Sequence, residues 1–160
     1  MEKNKHFLNI DLNSTGRVFE GIGGISSNGT SKLLMDYPYK QQTDIIRFLF
    51  KPNFGAGFQQ LKLEIGSDAN TSSGTEPSHM RDMDDFDITR GTGLWLATKA
   101  KKENTDLMLS ALRWGTPRWI TDNNRKFLYY KNYLKGALEK FGLCFDYIGA
   151  DVNEGPFDRN

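Results

Sequence analysis

The sequence predicts an α/β chain built on a parallel sheet. Stretches of strand character are followed by stretches of helical period along the 160 residues, four units in all, the last lacking its helix. Repeated β-then-α order calls for parallel strands joined by helical crossovers. One segment alternates cleanly, with Leu61, Leu63 and Ile65 on one face and Lys62 and Glu64 on the other, the period of a strand. The unusual residues fall after the predicted strand ends, where functional loops gather in such folds. Two architectures fit: an open doubly wound sheet, or the first half of a (β/α)8 barrel, which typically needs about 250 residues when complete.

The first strand is expected over 18–25, followed by the loop Ser26-Ser27-Asn28-Gly29-Thr30. Pro38 opens a helix whose apolar positions are Ile45, Ile46, Leu49 and Phe50, and Pro52 and Gly55 end it. The second strand is expected over 58–65. A polar loop of about two dozen residues then runs over 66–89, longer than an ordinary connection. A helix follows over 91–103, with Leu94, Trp95, Ala97 and Ala100 as its apolar positions. The third strand is expected over 106–112 and the next helix over 127–141, with Gly142 as a left-handed cap. The fourth strand is expected over 145–152.

Composition bounds the function. With 38% apolar and 26% charged residues the chain is globular. A net charge of +1 and a pI near 7.8 exclude a strongly basic nucleic-acid binder. The single cysteine, Cys144, allows no intramolecular disulfide and is expected to pack as a small hydrophobe. His6 and His79 lie far apart, so no metal-ligand spacing exists. No transmembrane run and no signal peptide are visible. Sequons at Asn13, Asn28 and Asn70 are glycan acceptors if the protein is secreted.

Five groups of residues could carry chemistry. Gly21-Ile22-Gly23-Gly24 invites a nucleotide reading, but the third glycine of a dinucleotide fingerprint is missing, so tight packing or close substrate approach is preferred. Lys62 and Glu64 would point into a barrel, where an ion pair, mutual or within a network, is the favoured reading over a catalytic role or a solvated face. Ser78-His79 with nearby aspartates suggests a hydrolase triad only by adjacency, which is no evidence for one. Trp114 and Trp119 flank Gly115-Thr116-Pro117-Arg118. Either can stack on a sugar or cover a core; Trp114 is the better candidate for the sugar and Trp119 for the core. Asn153-Glu154 at the fourth strand's expected exit sets an amide beside a carboxylate, where a sugar-cleaving barrel enzyme would keep its general acid/base, although a solvated carboxylate is the alternative.

The chain resembles the N-terminal catalytic part of the galactocerebrosidase (galactosylceramidase) family of glycoside hydrolases. The resemblance rests on Phe19-Glu20-Gly21-Ile22-Gly23, Leu33-Leu34-Met35-Asp36-Tyr37-Pro38, Leu49-Phe50-Lys51-Pro52-Asn53-Phe54-Gly55-Ala56 and Leu61-Lys62-Leu63-Glu64-Ile65-Gly66. Gly74-Thr75-Glu76-Pro77-Ser78-His79-Met80, Asp146-Tyr147-Ile148-Gly149 and Asn153-Glu154 complete it, in family order.

The resemblance implies an α/β fold, the first half of a (β/α)8 TIM barrel over 17–160 after an N-terminal extension at 1–16. It implies a retaining glycosidase that removes galactose from β-galactosyl lipids, with no cofactor and no metal. It implies Glu154 as acid/base, Asn153 as the partner holding the sugar 2-hydroxyl, Trp114 as a wall of the galactose pocket and Ser72 in place of a sugar-binding threonine. The nucleophilic glutamate would lie on a later strand, absent from these residues, so the 160-residue chain is expected to be inactive alone and a half barrel to be prone to self-association. Val152 and Ser73 depart from the family pattern, as do Arg113, Gly115, Thr116 and Arg118 around Trp114. A non-catalytic galactoside- or glycolipid-binding protein is the alternative. A lysosomal or secreted setting would be family-like.

Overall fold

A computed structural model describes residues 7–149 of the chain. Its elements run β1 (Gly23–Ser26), α1 (Lys32–Met35), α2 (Tyr39–Phe50), β2 (Gln60–Glu64), α3 (Gly93–Glu103), β3 (Met108–Leu112), α4 (Asn123–Phe141) and β4 (Tyr147–Ile148). The four strands form one sheet in the order β1-β2-β3-β4, and every pair is parallel. Each strand lies beside the next in sequence, with no reversal of direction. That is the winding of a barrel wall, whereas a doubly wound sheet reverses its strand order at a switch point.

The alternation in β2 positions the core. Leu61, Leu63 and Ile65 are at most 1% exposed. Leu107, Leu109 and Ala111 continue the same layer, and Ile46 and Phe50 of α2, Ala97 and Ala100 of α3, and Tyr129, Tyr133 and Ala137 of α4 pack against it. The opposite face holds the in-register row Ile25, Lys62, Ser110 and Tyr147. Lys62 and Ser110 there are half-buried, while Ile25 and Tyr147 on the two edge strands are exposed.

Several sequence expectations change. The segment 18–22 lies outside β1, and Val18 and Phe19 are exposed. Gly21 has φ 106°, a backbone state that interrupts a strand. The β1–β2 ladder begins only at the Gly23–Gln60 pair. Helix α4 begins four residues earlier than its apolar period suggests, because the Asp122 carboxylate accepts the Arg125 N–H at 2.9 Å and caps it. Gly142, at φ 66°, ends α4 with its N–H on the Leu138 carbonyl at 2.9 Å. This turn delivers Leu143 to the core and leaves Cys144 exposed, contrary to its expected packing. The fourth strand is shorter than expected, Tyr147–Ile148, with 145, 146 and 149 outside it; its expected residues from 150 onward lie outside the described residues.

Candidate functional site

The loops after β1, β2 and β3 meet at one end of the sheet. The loop after β1 turns through Asn28 and Gly29, both with positive φ (54° and 67°). Two consecutive backbone N–H groups are thereby exposed to acceptors, and both are taken. The Glu64 carboxylate accepts from Asn28 N–H at 2.6 Å, and the Glu76 carboxylate accepts from Gly29 N–H at 2.8 Å. Two filled carboxylate contacts thus satisfy both amides of this turn from within the chain.

Glu76 does more. Its other oxygen accepts from Thr92 N–H at 3.1 Å and Gly93 N–H at 3.4 Å, at the start of α3. A carboxylate at a helix N-terminus satisfies free amides and meets the positive end of the helix dipole. Both glutamates are buried. Burial pushes the carboxyl of Glu64 above its ordinary range, against the pull of the Asn28 amide. Burial raises Glu76 as well, opposed by the amides of Gly93, Gly29 and Thr92 and reinforced by the charge of Glu64.

The long loop after β2 is therefore tied down rather than loose. Thr71 and Gly74 bridge in a tight turn, and Ser72 sits exposed within it. Arg90 holds Asp85 through two hydrogen bonds of 2.5 Å and keeps that carboxyl down at about 2. His79 packs among Phe86, Tyr129 and Tyr133, with its Nε2 2.9 Å from the Tyr129 carbonyl oxygen. Burial lowers its pKa to about 4. Ser78 donates to the Met80 carbonyl at 2.6 Å. Both side chains are thus committed to the backbone, and Ser78-His79 forms no triad.

Trp114, after β3, is half-buried, and the Lys62 ammonium lies 5.3 Å from its ring centroid. This overturns the expected Lys62–Glu64 ion pair. Lys62 lies against an aromatic face, and Glu64 turns to the Asn28 amide. Trp119 belongs with the core. It packs edge-on to Tyr129 at 6.0 Å and donates its indole N–H to the Met80 carbonyl at 3.1 Å.

Of the residues singled out from sequence, Trp114 and Ser72 lie in the loops at this end of the sheet; Asn153 and Glu154 lie outside the described residues. Sequence reasoning missed the role of Glu76. Its amide partners stand 47 and 16 residues away, and no local pattern marks them. Among the described residues no cluster of three or more His, Cys, Asp or Glu could hold a metal ion, and no helix is long and apolar enough to cross a membrane.

The family model described as "Glycosyl hydrolase family 59" matches residues 19–160. The galactocerebrosidase of Mus musculus is 43% identical over 159 residues, 94% of this chain and 23% of its own length. That of Danio rerio is 42% identical over 152 residues, 89% of this chain and 23% of its own length. The chain thus spans about a quarter of these relatives. Among solved structures, an endo-β1,6-glucanase shares the fold with a TM-score of 0.71 at 16% identity, over 90% of this chain and 37% of its own. The catalytic domain of GH30 xylanase C from Talaromyces cellulolyticus does so with a TM-score of 0.66 at 19% identity, over 89% of this chain and 38% of its own. The sheet and its helices thus share the fold of TIM-barrel-type glycoside hydrolase domains.

Proposed function

The chain belongs to glycosyl hydrolase family 59, and from that membership we propose that it carries the acid/base half of a retaining glycosidase acting on β-galactosyl lipids. The observation that carries the reading is the family match, which extends over Asn153-Glu154, the pair that follows β4 in the sequence.

In this mechanism Glu154, protonated, gives its proton to the departing glycosidic oxygen. A second carboxylate, supplied from outside these 160 residues, attacks the anomeric carbon and forms a glycosyl-enzyme. Glu154, now ionised, takes a proton from water, which releases the sugar. The two carboxyl groups lie about 5–5.5 Å apart in such a site. Asn153 holds the sugar 2-hydroxyl, Trp114 lies along an apolar face of the ring, and the exposed hydroxyl of Ser72 is a hydrogen-bonding group for the sugar. The exposed edges β1 and β4 accept the remaining strands of the same barrel.

The test is Glu154→Gln in the full-length protein. Turnover of galactosides with poor leaving groups should fall far more than turnover of activated aryl galactosides, because only the former need proton assistance. Equal losses on both would remove the acid/base assignment. Galactoside binding that survives the substitution, with no turnover by the wild-type protein, would favour a non-catalytic binder.

A further inference from the structure

We propose that Glu76 is a positioning residue of the sugar pocket, whose carboxylate fastens the turn bearing Ser72 and the Asn28–Gly29 loop to the first turn of α3. The proposal deepens, and rests on, the reading of the pocket given above.

Three observations converge. First, α3 has no side-chain cap of its own: Thr92 makes no capping hydrogen bond, and its buried hydroxyl has no partner. The cap comes from Glu76, 16 residues upstream. A local Ser, Thr or Asp cap would stabilise the helix as well, but only a remote one ties the helix to a loop.

Second, the carboxylate sits in a cradle of glycines. A Cβ on Gly91 would lie 2.5 Å from Glu76 Oε1, one on Gly29 would lie 2.5 Å from the Thr75 carbonyl oxygen, and one on Gly74 would overlap the Asn28 carbonyl oxygen. Gly74 closes the Thr71–Gly74 turn, so the turn that presents Ser72 is seated directly on the loop that Glu76 holds.

Third, the arrangement is costly. Glu64 and Glu76 are both buried and grip adjacent amides, and like charges in one buried site oppose each other. A neutral acceptor would close a loop without that cost. Glu76 uses both carboxylate oxygens, which an amide cannot imitate.

The experiment is Glu76→Gln in the full-length protein, with Glu64→Gln for comparison. Glutamine at 76 keeps one acceptor and turns an NH2 toward an N–H, so KM for a galactoside should rise about tenfold or more and kcat/KM should fall about 10–100-fold. Hydrogen exchange at the Gly29 and Thr92 amides should accelerate about tenfold or more in the same variant. Glu64→Gln retains an acceptor for Asn28 and should have the smaller effect. In a Glu76→Gln/Thr92→Asn double variant the local cap should restore thermal stability while KM stays high. Recovery of both would reduce Glu76 to a helix cap and overturn the proposal, as would unchanged Gly29 and Thr92 exchange with unchanged KM in Glu76→Gln. If the single variant does not fold, the double variant carries the same comparison. In the wild-type protein, added galactose should slow exchange at Gly29, and no change with the sugar bound would count against the coupling. Absence of any galactoside binding or turnover by the wild-type protein would instead sink the functional reading, which the exchange comparison does not depend on.

Discussion

The hydroxyl of Tyr129, on α4, donates to the carbonyl oxygen of Gly66 at the exit of β2, 63 residues earlier. The same hydroxyl lies 3.0 Å from Ser78 Oγ. One buried side chain thus fastens Gly66 and lies against Ser78, the two ends of the segment that carries Ser72 and Glu76. Burial raises the phenol's pKa, so it stays a donor at any working pH.

Tyr129→Phe should destabilise the full-length protein by about 1–3 kcal/mol, the cost of leaving a buried carbonyl without its donor. Denaturant unfolding measures it. A loss near zero would mean that water replaces the hydroxyl.

His79 makes stability pH-dependent. Its folded pKa, about 4, lies below the ordinary 6.5, so its contribution is full above 6.5 and is lost as pH falls from 6.5 through 4. A shift of this size corresponds to about 3 kcal/mol at most. Glu64 and Glu76 act in the opposite sense. Their raised pKa values give a contribution present below the ordinary 4.5 and lost as pH rises through the raised values. On acidification from pH 7 to pH 5 the histidine therefore lowers the melting temperature while the two glutamates oppose it, and a His79→Phe variant that stays folded should show a smaller fall than the wild type, or a rise. A slope unchanged in that variant would assign the effect elsewhere.

Lys62 and Trp114 should be coupled in sugar binding. Trp114→Ala removes the stacking face and should weaken galactoside affinity strongly, about tenfold or more. Lys62→Met removes only the cation beside the ring, worth about 0.5–1 kcal/mol at an exposed site, so the loss should be about two- to fivefold. A double-mutant cycle read by calorimetry checks this, and additive losses would mean that the lysine does not act through the ring.

The 160-residue chain by itself should self-associate. Ile25 on β1 and Tyr147 and Ile148 on β4 are exposed on the two strands that bound the sheet among the described residues, and uncovered edges template pairing. Light scattering on the purified chain measures this. A monodisperse monomer that melts cooperatively and turns over galactosides would overturn it.

Much of the scaffold was legible. The alternation of Leu61, Leu63 and Ile65 predicted a buried face, and each is at most 1% exposed. Pro38 and Gly142 marked helix ends because proline and glycine restrict or free φ locally. Errors came where a neighbour in space, and not the local pattern, decided the outcome. Val18 and Phe19 have strand composition, but the partner strand begins opposite Gly23. Cys144 lies in an apolar run, yet the left-handed turn at Gly142 points Leu143 inward instead. Asp122 was a readable cap signal, and the apolar period alone set the start of α4 too late.

The sequence by itself determined the β/α order, the buried face of β2 and the family, because period, breakers and contiguous motifs are local properties of the chain. Only the tertiary structure decided that Lys62 meets Trp114 instead of Glu64, and that Glu64 and Glu76 grip the adjacent amides of Asn28 and Gly29. Those partners stand 36 and 47 residues apart. A backbone N–H carries no residue identity, so no sequence pattern can announce which carboxylate will reach it.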